Sequence, residues 1–538
     1  MAAAFHSSPR LYERRVSTRN ILFPSPRGVS QKSTRATRQR VESSAHPFSL
    51  QSLAMQKAKT ETATMTGWIN SDTLNLHQTI NNSINTTTGI RNNNIINDGD
   101  ATKVKYPSPS SMERLLIRDR IVLLKRDDLL HLPSSNISGN KARKFLALNN
   151  IPATEFPDAI VSYGGPQSNA MLALAAIVAS KNAELAGTRP VGEDWQPSLN
   201  DDDEGGDNMF WQLDVSEEDI TTTGKVKKDG NSKATGQSSS SSTSSSTTEK
   251  TCTTQKKKRF IYYTKTLPKY LRKYPNGNFL RALALGMEIR TVSYDEYDRL
   301  FGGLHGGSVM APADLDPIVP GRSLWIPQGG ACSIAQPGSN ILAQEIVDYW
   351  CANGKGMPLA VCLPGGTCTT ALTLHRSINK ILKQRTLDGK DEMDIRLIVI
   401  PCVGDDEYAM RQMMSLDRSM GGKGRREDMP WILRPRTKVQ YGSARKRSKG
   451  YFTFGEPSKA ILQTYDEMNE NGLFLDLLYG APAWSLLLQH WRASSDADCP
   501  IAGRQVMYIH SGGLEGVSSQ LTRYSHKGLL DPRTIQMS

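Results

Sequence analysis

The sequence predicts an α/β fold: two domains with parallel-rich, twisted sheets flanked by helices. Three observations predict it. Short apolar runs of strand length recur along the chain, at Ile121–Lys125, Ala159–Ser162, Phe260–Thr264, Ala360–Leu363, Ile395–Pro401 and Val506–His510. Gly- or Asn-rich turns follow most of these runs. Helical stretches come next, among them Asn169–Ser180, Gly338–Asn353 and Ser458–Asn471. Apolar runs bounded by turns read as buried strands, and strand, turn and helix in repeated order argue for parallel sheets. In such sheets a ligand sits beyond the carboxyl ends of the strands, so the glycine turns are where a site is expected.

Composition divides the chain. The formal net charge is +13 over 538 residues, with a pI near 9.3. Residues 1–60 alone hold eight Arg and three Lys against Glu13 and Glu42, a net +9. The basic balance therefore belongs to the N-terminus and does not imply a nucleic-acid surface. Residues 1–60, Arg- and Ser-rich and poor in acids, read as a transit peptide, with the mitochondrion the expected destination and plastid or cytoplasm the alternatives. Residues 61–104 are Asn/Thr-rich and are expected to be a disordered linker.

A second interruption runs from about 182 to 258. It holds the acidic run Asp201–Glu204, a Ser/Thr tract from Ser238 to Thr248 and the basic cluster Lys256–Arg259. Such a segment cannot bury enough apolar surface to offset chain entropy, and it reads as a solvated insertion within one domain. The basic stretch Arg434–Lys449 reads as a loop. This leaves a core over 105–525, made of two interleaved α/β subdomains, and a tail over 526–538; a mean hydropathy of −0.45 fits a chain that is only partly packed. The longest apolar run, Ala170–Ala179, has ten residues, about half of what a spanning helix needs, so no membrane insertion is expected. The seven cysteines are scattered and include no CxxC pair. Neither a disulfide framework nor a metal site is expected from them.

Four turns could carry chemistry. Ser138-Gly139-Asn140-Lys141 opens a helical stretch. A lysine at a helix start sits against the sign of the dipole, and a site that lowers its pKa helps it act as a nucleophile. Gly164-Gly165-Pro166-Gln167-Ser168-Asn169 follows a strand and offers backbone approach, a hydroxyl and an amide. Pro364-Gly365-Gly366-Thr367-Cys368-Thr369-Thr370 follows another strand and starts a helix, which makes a natural phosphate cradle. Neither GxxxxGK[ST] nor GxGxxG is present, so a cofactor with a single phosphate fits better than a nucleotide. His510-Ser511-Gly512-Gly513 closes the last core strand with a hydroxyl and flexible backbone. His510 by itself reads as structural, Tyr479 as packing, and Cys368 lacks a paired histidine.

The order of these pieces carries the specificity. KRDD (125–128), SGNKARK (138–144), SYGGPQSNA (162–170), YYTKTLP (262–268), PQGGACSIAQPG (327–338), PGGT (364–367), FGEP (454–457), LDLLY (475–479) and IHSGG (509–513) occur in that sequence. Together they resemble the pyridoxal-phosphate enzymes of the tryptophan-synthase-β fold type (fold type II). Within these, the chain is most similar to the D-cysteine desulfhydrase and 1-aminocyclopropane-1-carboxylate deaminase family. The resemblance implies pyridoxal 5'-phosphate as cofactor, a small amino acid as substrate, and a homodimer. It implies Lys141 as the Schiff-base lysine and proton carrier at the substrate α-carbon, and Asn169 on the cofactor's phenolic oxygen. Ser168 is then near the substrate carboxylate, the phosphate on Gly365, Gly366, Thr367, Cys368 and Thr369, Tyr479 facing the substrate, and Ser511 at the pyridine nitrogen.

The chain departs from the family at several places. Ala170 follows the Ser-Asn pair where His or Gln is frequent. Thr367 and Cys368 stand where the phosphate loop has glycines. Gly480-Ala481-Pro482 replaces Glu-Gly-Lys, and Phe454 replaces a second tyrosine. A carboxylate at the pyridine nitrogen makes a strong electron sink, whereas a hydroxyl such as Ser511 makes a weak one. A weak sink suffices when thiolate leaves readily from the β-carbon, so D-cysteine desulfhydration is expected ahead of aminocyclopropane-carboxylate deamination. The alternative of another class is a pyridoxal-phosphate-binding protein that has lost catalysis.

Overall fold

A computed structural model describes residues 109–132, 134–188, 256–302, 322–436, 450–492 and 499–531. The transit-peptide and linker readings at 1–60 and 61–104 lie outside the described residues. So do most of the insertion, most of the basic stretch at 434–449, and residues 532–538 of the tail.

Twelve strands are formed among the described residues: β1 (Met112–Ile117), β2 (Arg120–Lys125), β3 (His131–Leu132), β4 (Ile137–Ser138), β5 (Ala159–Tyr163), β6 (Arg259–Lys265), β7 (Met287–Val292), β8 (Ser323–Ile326), β9 (Leu359–Gly365), β10 (Ile395–Pro401), β11 (Trp431–Ile432) and β12 (Gln505–Ile509). They make a six-stranded sheet in the order β1-β2-β12-β9-β10-β11, a four-stranded sheet β7-β6-β5-β8, and the short pair β3-β4. Every pairing in the two larger sheets is parallel except β1 with β2. The six-stranded sheet takes its strands from both ends of the core, and the four-stranded sheet comes from the stretch between them. The two sheets are therefore interleaved in sequence.

The apolar runs are explained by burial on both faces. In the larger sheet Val122, Leu124, Ala360, Cys362, Ile398, Ile400, Val506 and Tyr508 enter one core. Their neighbours Leu123, Leu359, Val361, Leu363, Leu397, Val399, Met507 and Ile509 enter another. A strand clad on both faces has no polar register to alternate with. The smaller sheet and the helix Asn169–Ala186 build a separate core around Ile160, Met171, Leu174, Ile177, Phe260, Tyr262, Leu324 and Ile326.

The insertion is narrower than its composition suggests. The helix starting at Asn169 runs to Ala186, six residues beyond Ser180, and ends on Gly187. The returning chain is fixed at Lys258, whose Nζ donates to the carbonyl of Phe156 at 2.8 Å and to Asp158 at 3.1 Å. The Asn182 side chain accepts from the Lys258 N–H at 2.7 Å and donates to its carbonyl at 2.9 Å. Residues 182–188 and 256–258 thus belong to the fold.

Candidate functional site

The site is assembled at the carboxyl ends of β5, β9 and β12. The segment Gly139–Lys144 forms a six-residue helix directly after β4. Gly139 takes φ +63° and lies so close to the last strand-end loop that a Cβ there would sit 2.5 Å from the Ser511 carbonyl oxygen. Only glycine fits this approach. Asn140 then donates its N–H to the Ser511 carbonyl at 2.9 Å, and its side-chain oxygen accepts from the Thr370 hydroxyl at 2.9 Å. One residue thus ties the loops after β9 and β12 to the turn that carries Lys141.

Lys141 is half-buried. Desolvation holds its amine below the ordinary lysine value, with the carboxylates of Glu515 and Asp476 opposing that shift. Glu515 is itself held by the Ser138 hydroxyl at 2.6 Å. Lys144, one turn on, is buried and donates to the Gly329 carbonyl at 2.8 Å. Burial, reinforced by the neighbouring Lys141 charge, draws its amine down to about 7.

The Gly365–Thr369 loop reaches both neighbours. A Cβ at Gly366 would lie 3.0 Å from Tyr479 Cε1, which puts the phenol against the loop. Thr367 shares a 2.8 Å hydrogen bond with the Thr369 hydroxyl, and its methyl lies against Gly329, whose carbonyl Lys144 binds. A buried lysine amine therefore stands behind this loop. Cys368 adopts φ +55°, a left-handed conformation that favours glycine. Its sulfur turns inward, among the buried residues of the larger sheet. Burial pushes this thiol up to about 12, so it is neither an exposed obstacle in the loop nor a nucleophile.

Asn169 begins its helix, with Ser168 capping it by accepting from Met171 N–H at 3.4 Å. Ser168 also shares a hydrogen bond with Tyr262, whose hydroxyl donates to the Gly165 carbonyl at 3.1 Å. The Asn169 amide nitrogen is 3.3 Å from where a Gly513 Cβ would be, and the Asp476 carboxyl carbon is 3.8 Å from that same point. The loops after β5 and β12 and the segment before Tyr479 thus meet at Gly513. Asp476 is buried and accepts from the N–H groups of Leu478 (2.8 Å), Tyr479 (2.7 Å) and Gly480 (2.9 Å). These bonds cap the helix Gly480–Gln489, while desolvation raises the carboxyl's pKa. Burial likewise raises the pKa of the Tyr479 phenol, which stays protonated. Phe454 lies 5.5 Å from its ring and is partly exposed.

These contacts link the turns that carry Lys141, Asn169, Gly365–Thr369, Tyr479 and Ser511, with Ser168 adjoining Asn169. His510 is structural: Nε2 donates to the Phe474 carbonyl at 2.6 Å, and Nδ1 accepts from Gly512 N–H at 3.2 Å. It shapes the Ser511–Gly513 turn and takes no part in an open site. Ala170 is buried in the smaller core. Sequence reasoning missed Asn140, Lys144, Asp476 and Asn278. Asp476 carries the one local signal, an acceptor four residues ahead of a helix that has proline in its first turn.

Beneath the Lys141 helix lies a buried charge network. Arg143 pairs with Glu345 at 2.7 Å and with Asp127 at 3.1 Å. Lys125, at the end of β2, pairs with Glu345 at 2.7 Å. Gly338, in the helix Gln336–Asn353 that carries Glu345, abuts the Arg143 carbonyl so closely that any side chain there would collide with it. The KRDD, SGNKARK and PG motifs are therefore one contact.

Among the described residues no helix is long and apolar enough to cross a membrane, and no group of three or more His, Cys, Asp or Glu could hold a metal ion. No protein-family model matches the chain, and no curated protein matches it. Among solved structures the chain is similar to an ACC deaminase homologue at 15% identity and a TM-score of 0.44, over 79% of this chain and 95% of that one. It is similar to a threonine deaminase from T.th. at 13% identity and TM-score 0.37, over 76% and 93%. A hydrogen sulfide-producing enzyme from Fusobacterium nucleatum follows at 10% identity and TM-score 0.34, over 75% and 94%. These are distant likenesses.

Proposed function

We propose that the chain binds pyridoxal 5'-phosphate at Lys141 and acts as a lyase on a small amino acid. D-cysteine, giving pyruvate, ammonia and hydrogen sulfide, is the first substrate to test. The observation that carries this reading is the placement of Lys141. Its amine is held below the ordinary lysine value at the point where three strand-end loops converge. The residues present fit the cofactor. A glycine loop at a helix N-terminus with Lys144 behind it suits a phosphate, and the Asn169 amide nitrogen beside the Gly513 turn supplies a donor.

When bound, the cofactor supplies an electron sink for charge developing at the substrate α-carbon. The remaining roles fall to the chain. The backbone of Gly365–Thr369 would hold the phosphate, whose charge would favour the protonated Lys144 behind it. The Asn169 amide would donate to the ring oxygen. Lys141, with its lowered pKa, is available to take and return the α-proton. Tyr479 keeps its proton and can donate a hydrogen bond at the substrate. Ser168, already capping its helix, offers a hydroxyl near the substrate carboxylate.

The Ser511 hydroxyl would be the partner of the ring nitrogen, and a weak one. The nearby carboxylate of Asp476 is engaged by three backbone N–H groups. At Gly480, where the family carries a glutamate, this chain has no side chain, and a Cβ there would press on its neighbours, 3.0 Å from Leu475 Cβ and 3.2 Å from Asp476 Oδ2. A weak sink favours a substrate that brings its own leaving group, which supports a thiol amino acid over aminocyclopropane-carboxylate. Ala170, Phe454 and Cys368 motivate a non-catalytic cofactor-binding protein; the inward turn of Cys368 removes the strongest of these motives. The composition of residues 1–60 supports import into the mitochondrion, which localisation of a fluorescent fusion would test.

The test is the purified chain with added pyridoxal phosphate, assayed against D-cysteine, L-cysteine, D-serine and aminocyclopropane-carboxylate. Sulfide and pyruvate released fastest from D-cysteine is the expected result. Faster turnover of aminocyclopropane-carboxylate would overturn the choice of substrate. A visible absorption band that no amino acid alters would favour the non-catalytic alternative, and no band at all would overturn the reading.

A further inference from the structure

We infer that Asn278 is a positioning residue that fixes which end of the Asn169 amide faces the site; this rests on the reading of Asn169 as the donor to the cofactor's ring oxygen. An asparagine side chain has a donor end and an acceptor end of nearly equal size, and its neighbours decide which points where. Asn278 is buried at the second position of the helix Gly277–Ala284. Its Nδ2 donates to Asn169 Oδ1 at 2.6 Å and to the Gln167 carbonyl at 3.2 Å. With its oxygen captured, Asn169 can present only Nδ2 to the site. That nitrogen is the atom nearest the Gly513 position.

The orientation of Asn278 is fixed in turn. Reversing its amide would set its oxygen against two acceptors, the Gln167 carbonyl and Asn169 Oδ1. Its backbone N–H donates to Gln167 Oε1 at 3.0 Å, and Gln167 Nε2 donates to the Asn276 carbonyl at 3.1 Å. The clasp leaves one cost visible: Asn278 Oδ1 is buried without a partner. Buried acceptors are rarely left so. Here both hydrogens of the amide serve two specified oxygens, and the lone acceptor is the consequence.

The test is Asn278→Asp, a near-isosteric change that turns a donor into an acceptor. The carboxylate can bond Asn169 only by taking its NH₂, so the Asn169 oxygen would then face the cofactor's ring oxygen. Pyridoxal phosphate affinity should fall about 10- to 100-fold, the scale of losing a hydrogen bond to a charged group. The apoprotein should melt somewhat lower, because the carboxylate also faces the Gln167 carbonyl that Asn278 now binds, so affinity is compared at a temperature where both apoproteins are folded. A residue that merely tied two segments together would keep its affinity in this variant, and that result would overturn the inference. If Asn278→Asp does not fold, the cycle of Asn278→Ala, Asn169→Ala and the double variant decides. Positioning requires the double variant to bind no more weakly than Asn169→Ala alone, and additive losses would overturn it. Wild-type protein titrated with pyridoxal phosphate separates the two levels. Failure there removes the cofactor reading and this inference with it, whereas failure confined to the variants removes this inference alone.

Discussion

The two sides of the six-residue helix Gly139–Lys144 meet opposite surroundings. On one side Arg143 is buried against Glu345 and Asp127, and Lys125 joins them, so cations and carboxylates are mutually paired. On the other, Asn140 is held by neutral groups, the Ser511 carbonyl and the Thr370 hydroxyl, and at Lys141 desolvation outweighs the opposing pull of Glu515 and Asp476. Charge that is paired in the interior fixes position, because removing one member strands another. Charge left poorly solvated and unpaired changes its proton affinity instead, which is the property chemistry uses. Two residues along one short helix separate a scaffold from a reagent.

The comparison can be broken at several points. Lys141→Ala should have the largest effect. Turnover should fall on the order of 10⁴-fold or more, as when a group the reaction runs through is removed, and borohydride should no longer trap cofactor on the protein. Lys141→Arg should not rescue, because guanidinium stays protonated. Trapping at a different lysine would show that the reagent side has been misplaced.

Arg143→Met should act on the other side. It strands Asp127 and leaves Glu345 to Lys125 alone, at a cost of about 3–5 kcal/mol in urea unfolding. Adding Asp127→Asn should recover part of that loss. If Arg143→Met proved as mild as a surface change, the network would not be the anchor.

Lys144→Met gives a smaller, pH-dependent effect. The folded chain holds this amine at about 7, below its unfolded value, so between pH 7 and the ordinary lysine range the unfolded chain binds a proton that the folded chain does not. This group's contribution to apoprotein stability therefore rises with pH through that window. Any advantage of the Met variant over wild type should be greatest at pH 7 and shrink toward pH 10. A gap that does not change with pH would show that Lys144 is not held neutral.

The smallest effect is expected from excising 189–255 and joining the ends with a short Gly/Ser linker. Loop closure changes by only about 0.6 kcal/mol per doubling of length, so stability and activity should stay close to wild type. Loss of soluble protein would show that this segment packs on the core.

Six strands were legible because their residues are apolar on both faces. The strands that escaped the apolar pattern in the two larger sheets are β1, β7, β8 and β11, all at sheet edges. Edge strands are half-covered and short, so Met112–Ile117 mixes Glu113 and Arg114 with leucines, and Ser323–Ile326 has only four residues. The site was legible as loops because glycine turns after strands leave a local mark. Its second layer was not. Asn278 lies 109 positions from Asn169, and Glu345 lies 202 from Arg143. Nothing local in Tyr-Pro-Asn-Gly-Asn announces an amide that serves a distant one. Cys368 illustrates a different limit: it stands where the phosphate loop has glycines, and only its burial in the fold shows that the side chain turns away.

Asn182 holds both backbone groups of Lys258 as a neighbouring strand would. The chain leaves and returns at this knot, and β5 and β6 are registered from Ala159↔Arg259 to Tyr163↔Tyr263. A polypeptide severed anywhere in 189–255 should therefore remain one particle: two fragments that co-purify, each supplying half of a sheet. For the same reason this is the natural port for grafting a foreign domain or a reporter, at a point where the guest's ends need only reach each other and the Lys141 site would not register its presence.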